Sequence, residues 1–312
     1  PEKWDLYVEY TRQDVEAERA IRNKLCCFQM TQEEQALWVH DQHINDRGVG
    51  VDLELAAQAV EIDHVIKDRL LQSAKELTGL ENPKSSAQLK AWIEGTAGIA
   101  VDSLNKKNII AVRAKADNVE VDAMLDIRSG LSKTSTEKYS AMLRTVCPDG
   151  RIRGLTQFYG ASRTGRWAGR LVQMQNLPQN KMPDRDLDTA RQLVRAGDLT
   201  TLELCFDDIA GTLSQLIRTA FIPRPGYRFI VADFSAIEAR VLAWLANESW
   251  RMDVFNTHGK IYEASAEQMF HLPPGSVKKG DPMRQKGKIA ELALGYGGSV
   301  GAMKSMGALE MG

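Results

Sequence analysis

The sequence predicts an α+β fold, helical towards both ends with a mixed stretch between. Three observations carry this. The N-terminal segments read as successive helices, the longest with an apolar stripe at Leu55, Ala59, Ile62, Ile66, Leu70 and Leu77. From Arg151 to Arg170 the chain is instead rich in Gly, Thr and aromatic residues, the chemistry of strand and loop. A short apolar run, Phe229 to Ala232, then ends in an acid and gives way to helical spacing again. All-helical, mixed, then helical segments imply helices set beside a small sheet.

Tyr7 to about Phe28 reads as a charged helix. Thr31-Gln-Glu-Glu34 is a capping box that opens a second helix through Trp38 and Ile44, and Gly48-Val-Gly50 breaks it. Asp52 caps the long third helix and Gly79 is placed to end it. Asn82-Pro83 turns the chain into a shorter helix around Leu89 and Trp92. Asn105 to Arg144 is polar and helical, with breaks at Gly130 and near Thr134. Cys147-Pro-Asp-Gly150 is a turn. Thr200-Thr-Leu-Glu203 offers a cap for a helix through Ile217, which would put Asp207-Asp208 on a solvated turn of it. Phe229 to Ala232 is a buried strand, Ile237 to Leu245 a helix, and Pro273-Pro274-Gly275 a loop before the final helix.

A chain of 312 residues with a net charge of −1 is large enough for more than one lobe. Between Arg151 and Arg195 cations outnumber acids: Arg151, Arg153, Arg163, Arg166, Arg170, Lys181, Arg185, Arg191 and Arg195. Such a stretch suits a polyanion in one groove, or equally a solvated face. Cys26, Cys27, Cys147 and Cys205 form no CxxC pair and suggest a reducing compartment. No apolar run approaches a membrane span, and the first ten residues are not a signal peptide. A start on Pro1 rather than Met suggests a chain cut from something longer.

The densest chemistry lies in Arg284 to Gly297. Arg284, Lys288, Leu292 and Tyr296 recur at every fourth position, so a helix would stack two cations, an apolar shelf and a ring on one face. Such a face suits a triphosphate at one end and a base at the other. Two like charges one turn apart weaken a helix, a cost easier to bear with an anion between them. Asp233 closes the apolar run and offers a carboxylate to a hard cation such as Mg²⁺. Capping the next helix is the commoner use of such an acid. Glu238 is placed to accept a hydrogen bond near that site or to pair on the surface, and Arg240 to bind phosphate or a carboxylate. Thr164-Gly165-Arg166 and Gln173-Met-Gln175-Asn176 bring donors that contact phosphates, sugars and base edges, or serve a polar loop. His40-Asp41 with His43 mimics a metal pair, but a helix there fits no standard ligand spacing.

Together these segments resemble family A DNA polymerases, the DNA polymerase I type, and most closely their phage members. The family's palm motif runs approximately DYSQIELR; Asp233-Phe-Ser-Ala-Ile-Glu-Ala-Arg240 matches at five places. The fingers motif RxxxKxxxFGxxYG matches at Arg284, Lys288, Tyr296 and Gly297, with Leu292 in place of the aromatic and Ala293 in place of the glycine. Thr164 to Pro178, TGRWAGRLVQMQNLP, is similar to the family's TGRLSSSDPNLQNIP. Tyr262 stands where the family carries a histidine, and Asn82 to Leu89 resembles the thumb. Tyr10 and Asp14 fit the YxxxD pattern that closes the proofreading exonuclease.

The resemblance implies a right-hand polymerase, with helical thumb and fingers around a small, incomplete antiparallel palm sheet. Residues 1–30 would end the 3′–5′ exonuclease, 31–150 form the thumb, 151–245 part of the palm and 246–312 part of the fingers. The implied activity is template-directed transfer from a dNTP to a primer 3′-hydroxyl by a two-metal mechanism. Asp233 would be a catalytic Mg²⁺ ligand and Lys288 catalytic. Arg284, Lys288, Leu292, Tyr296, Glu238 and Tyr262 would meet the nucleotide, with Glu238 crowding out a ribose 2′-hydroxyl. Arg166, Arg170, Gln173, Gln175, Asn176, Arg218, Arg240 and Gly297 would meet primer or template DNA. The final helix would close on a correct pair, with Gly295, Gly297 and Gly298 easing its bend. A second carboxylate, in a motif near HDE, normally follows the fingers and does not occur after Tyr296 here. An incomplete or split polypeptide is therefore expected, weak as a polymerase alone, with a second polypeptide completing the palm. The setting would be the cytoplasm of a bacterium or phage-infected host. The alternatives are a noncatalytic primer-template or nucleotide-binding protein, and an exonuclease fragment.

Overall fold

The structure, a computed structural model, describes residues 2–105 and 108–311. Lys106 and Lys107, in the stretch expected to be helical, lie outside the described residues, as do Pro1 and Gly312 at the ends of the expected exonuclease and fingers segments. The chain divides after Arg228 into two compact units. Its helices and small antiparallel sheets make it an α+β protein.

The first unit opens with α1 (Glu2–Leu25), a helix with no buried residue. Thr31 caps α2 (Gln32–Arg47), its hydroxyl accepting from the Glu34 N–H at 3.2 Å. Gly48 does not simply break the chain: Val49–Val51 is β1, the central strand of a three-stranded sheet. A Cβ on Gly48 would stand 2.3 Å from the Ile152 carbonyl, so only glycine admits the neighbouring strand there. Asp52 caps α3 (Leu53–Thr78) and Gly79 ends it at φ 65°. Asp52 also meets Arg191, which fastens the start of α3 to a later helix.

Helices α4 (Ser86–Ala97), α5 (Asn108–Ala116), α6 (Val119–Leu131) and α7 (Glu137–Thr145) follow. Gly130 lies in the last turn of α6, which ends one residue later at Leu131. A Cβ there would come 2.8 Å from Leu70, so the glycine brings α6 close to α3. The expected break near Thr134 separates α6 from α7, and a further one falls at Asp117, with φ 41°. Strands β2 (Arg151–Ile152), β3 (Thr156–Ala161) and β4 (Arg166–Gly169) come next, the last two pairing as a hairpin. A helix that the sequence reading did not anticipate, α8 (Asp184–Ala196), precedes α9 (Leu199–Cys205) and α10 (Ile209–Leu216). The expected single helix from Thr200 to Ile217 is thus split. Asp198, not Thr200, caps α9, and Asp208 caps α10 while pairing with Lys133 at 2.6 Å. A side-chain acceptor one residue before a helix satisfies an orphan N–H wherever it occurs, and two aspartates restart the helix here. Strand β5 (Phe221–Ile222) pairs with β1, giving the order β2-β1-β5.

Helix α3 runs through two apolar clusters. Leu55, Ala59 and Ile62 pack with Tyr139, Met142, Ile152, Leu213 and Ile217. Further along, Ala74 joins Leu89, Ile93, Val121 and Leu125. Each fully buried Leu or Ile contributes roughly 1.5–3 kcal/mol.

In the second unit Phe229–Ala232 joins no sheet, contrary to the buried strand expected. Ile230 is 85% and Val231 93% exposed. An unbroken apolar run marks a strand covered on both faces. No ladder partner lies beside this one among the described residues. Four helices make the rest: α11 (Ile237–Leu245), α12 (Ser249–Thr257), α13 (Ile261–Met269) and α14 (Pro282–Gly295), before the short α15 (Val300–Ser305). Asp281 caps α14 and Pro282 sits in its first turn.

Two predictions test this packing. Tyr139 is buried, burial raises its pKa, and its hydroxyl donates to the Leu213 carbonyl at 2.7 Å. Tyr139→Phe is expected to lose about 1 kcal/mol in urea unfolding, the net worth of one such bond. The Arg153 guanidinium grips Asp149 at 2.8 and 2.7 Å and holds its pKa at about 2. The charged carboxylate stabilises the fold above about pH 4. That contribution is lost as pH falls towards 2, so Asp149→Asn should flatten the fall of Tm across that window.

Candidate active site

Asp233 is exposed and lies ahead of α11, with Ala236 between them at φ 50°. Left-handed backbone turns the chain sharply into the helix. Arg240 closes this turn: its Nε donates to the Ser235 carbonyl at 2.9 Å, and its guanidinium lies 4.5 Å from the Phe255 ring centre.

A pocket of about 280 Å³ forms here. It gathers Asp233, Glu238, Tyr262, Leu292 and Tyr296 from three separate stretches of sequence. The Tyr296 hydroxyl donates to Glu238, which joins the end of α14 to α11. Arg284 and Lys288 are not among the lining residues, so the four-residue face does not open into this one cavity. Tyr296 itself stands just past the last turn of α14.

Arg284 is instead held from behind. Its Nε meets Glu263 at 2.7 Å, and its guanidinium lies 5.3 Å from the Tyr262 ring centre. Glu263 is buried and Arg284 half-buried. Lys288 has no ion-pair partner among the described residues. A second buried acid, Glu291, accepts from Ser265 at 2.5 Å and pairs with Arg251 at 2.8 Å. These two acids tie α14 to α13 and α12. Gly287 completes the arrangement, since a Cβ there would stand 2.1 Å from the Tyr262 carbonyl. Glu263, Glu291 and Arg251 gave no local signal in the sequence. Gly287 did, because glycine inside a helix costs about 1 kcal/mol against alanine and calls for a packing reason.

The residues expected to meet nucleic acid in the first unit lie on or after the hairpin. Arg166 is on β4, Arg170 is exposed just beyond, and Gln173 stands at φ 55°. Asn176 donates to Gln173 at 3.1 Å, and the Gln175 amide lies so close to Gly169 that a Cβ would stand 2.3 Å from it. Arg218 fastens this loop, donating to the carbonyls of Pro178 and Leu177 at 2.9 and 2.8 Å. The basic stretch is thinner than its count suggested. Arg151 donates to the carbonyls of Arg47 and Gly48, Arg153 serves Asp149, and Arg191 and Arg195 serve Asp52. Asp41, the metal decoy, is 2% exposed and accepts from Thr156 and Trp167 at 2.7 Å each. Tyr10 and Asp14 are exposed on α1, and Gly297 follows α14 at φ 73°.

The donor set does not fit a two-ion metal centre. Among the described residues no three His, Cys, Asp or Glu gather to hold an ion. Of the three carboxylates lining the pocket, Glu238 already accepts the Tyr296 hydroxyl and Glu291 is paired with Arg251. No helix among the described residues is long and apolar enough to cross a membrane.

A family model for DNA polymerase family A matches residues 54–308. A DNA polymerase of Bacillus phage SP02 is 55% identical over all 312 residues, which cover 48% of that polymerase. The chain thus spans about half the length of this relative. A thermostable DNA polymerase I of Thermus thermophilus is 38% identical over 86 residues, 27% of this chain and 10% of that one. Among solved structures, the POL domain of Pol1 from M. smegmatis, in complex with DNA primer-template and dNTP, matches with a TM-score of 0.57 at 20% identity. It covers 85% of this chain and 44% of that one.

Arg284→Ala would strand the buried Glu263 without its cation. A loss of about 2 kcal/mol of stability is expected, less than for a fully buried pair because Arg284 reaches solvent. Adding Glu263→Ala should restore part of it, as read by chemical unfolding of single and double variants.

Proposed function

Because the chain belongs to DNA polymerase family A, we propose that it carries nucleotide- and template-handling parts of template-directed DNA synthesis. In that reaction a primer 3′-hydroxyl attacks the α-phosphate of a dNTP and pyrophosphate leaves. The observation that carries the reading is the pocket that brings Asp233, Glu238, Tyr262, Leu292 and Tyr296 together. Its neighbouring helix α14 bears Arg284 and Lys288, whose positive charge would neutralise the triphosphate as the leaving group forms. Glu238, held by Tyr296, would stand where a ribose 2′-hydroxyl would crowd it. Leu292 would give the nucleotide an apolar shelf in place of the family's aromatic ring. Arg166, Arg170, Gln173, Gln175 and Asn176 would contact primer or template, with affinity that falls as salt rises. Arg218 is read as a post for this surface and Arg240 as a post for the turn after Asp233, since their guanidiniums already serve backbone carbonyls.

Family A polymerases use divalent metals. Asp233 is read as the one ligand this chain offers to a Mg²⁺ pair, with the remaining ligands coming from outside the described residues, on a second polypeptide or further sequence. The thumb, palm and fingers bounds given above, and a phage or bacterial cytoplasm, belong to the same reading. So does Tyr10 with Asp14 as the edge of an exonuclease. The alternative, a primer-template binder without chemistry, is favoured by the incomplete donor set around Asp233.

The test separates binding from chemistry. The chain alone should bind dNTP, and Lys288→Ala should weaken that binding about tenfold, or ~1.4 kcal/mol. Primer extension with Mg²⁺ by the chain alone should be near background, and Asp233→Ala should leave dNTP binding without Mg²⁺ unchanged. Unaltered affinity in Lys288→Ala would defeat the role given to α14, and vigorous synthesis by the chain alone would defeat the half-site reading.

A further inference from the structure

The β3–β4 hairpin carries an aromatic patch that nucleotide transfer does not require. Tyr159 lies within β3 at φ 49°, a left-handed conformation that bulky side chains avoid. The inversion upsets strand alternation, and the Tyr159 ring stacks on its neighbour Phe158 with centres 4.3 Å apart and planes 21° apart. Trp167, across on β4, meets Phe158 edge-on at 5.6 Å. The three rings form one patch, and it is open: Tyr159 is 48% and Trp167 41% exposed.

The patch is also held firmly. The buried Asp41 takes the Trp167 N–H at 2.7 Å, and through Thr156 it ties the first residue of β3 to α2. Gly165 lets the hairpin turn close over Tyr159, since a Cβ there would stand 3.1 Å from the ring. Strain of this kind persists only where the surroundings over-determine it, and it gathers at sites of use. Arg163 in the turn and Arg170 past β4 are exposed and have no ion-pair partner among the described residues.

Half-open rings on a hairpin flanked in sequence by guanidiniums without an ion pair among the described residues call for a ligand with planar faces and regular negative charge. A duplex offers the charge but hides its base faces. An acidic peptide offers charge without planar faces. Unpaired bases on a phosphodiester backbone offer both. We propose that this hairpin is a stacking platform for single-stranded nucleic acid, with Tyr159 and Trp167 against bases and Arg163 and Arg170 against phosphates. The proposal rests on the reading that the first unit engages nucleic acid, and it adds that unpaired bases are what this face recognises.

The probe is a labelled single-stranded dT oligonucleotide, compared by fluorescence anisotropy with an abasic oligonucleotide of equal length, using the whole chain. The wild-type chain should bind the dT strand about tenfold tighter, the size of one base–aromatic stack. Tyr159→Leu should erase that preference while leaving the abasic strand's affinity unchanged, and Tyr159→Phe should keep it. Arg170→Ala should weaken both strands alike. Equal affinity of the wild-type chain for the two strands overturns the proposal without recourse to any variant, as does a preference that survives in a folded Tyr159→Leu. Primer-template duplex is measured in parallel. If duplex binds and the base preference is absent, the platform fails and the polymerase reading stands; if neither duplex nor single strand binds, both fail.

Discussion

Two buried glutamates set the position of α14, and with it the chemistry assigned to that helix. An unpaired carboxylate in an apolar interior costs several kcal/mol, so Glu263 and Glu291 must each keep a cation. Glu263 takes Arg284 from α14 itself, and Glu291, on α14, takes Arg251 from α12. The helix is therefore clamped at two heights by groups of opposite sign. Arg284 is oriented as a consequence, with its Nε committed to the protein and Lys288 left as the cation without a partner among the described residues. One cation is a fixture and the other is available to an anion, although the sequence presents them as a matched pair.

Much of the fold was legible where the information is local. The caps at Thr31 and Asp52, the glycine stop at Gly79 and the bounds of α11 each depend on a few adjacent residues and came out as read. The failures share a different cause. The helix does break at Gly48, but the strand Val49–Val51 that follows was missed because nothing nearby says that β2 and β5 will flank it. The close approach of α6 to α3 at Gly130 was missed likewise, because its partner, Leu70, lies far away in sequence. Asp198 and Asp208 were passed over for Thr200, and only the observed split of α9 from α10 reveals them as caps. The candidate site divides the same way. Asp233, Glu238, Leu292 and Tyr296 were found through their motifs, whereas Glu263 and Arg251 occupy ordinary helical sequence and acquire meaning only from their partners.

The segment ahead of Asp233 shows how far a strand's identity depends on its neighbours. Phe229, Ile230 and Val231 have the composition of a central strand, yet they are exposed and belong to no sheet. Asp233 shares that exposure, and no ladder flanks it among the described residues. The pocket is nonetheless assembled around it, because its other walls come from α11, α13 and α14, which pack through their own contacts.

The Gly287 crossing has a consequence for how this chain can vary over generations. Any single-base change in a glycine codon that alters the residue installs a side chain with a Cβ. At this position even the smallest would collide with the Tyr262 carbonyl at 2.1 Å. The neutral neighbours of codon 287 are thus its synonymous ones, and lineages that retain the α13–α14 contact are confined to synonymous drift there.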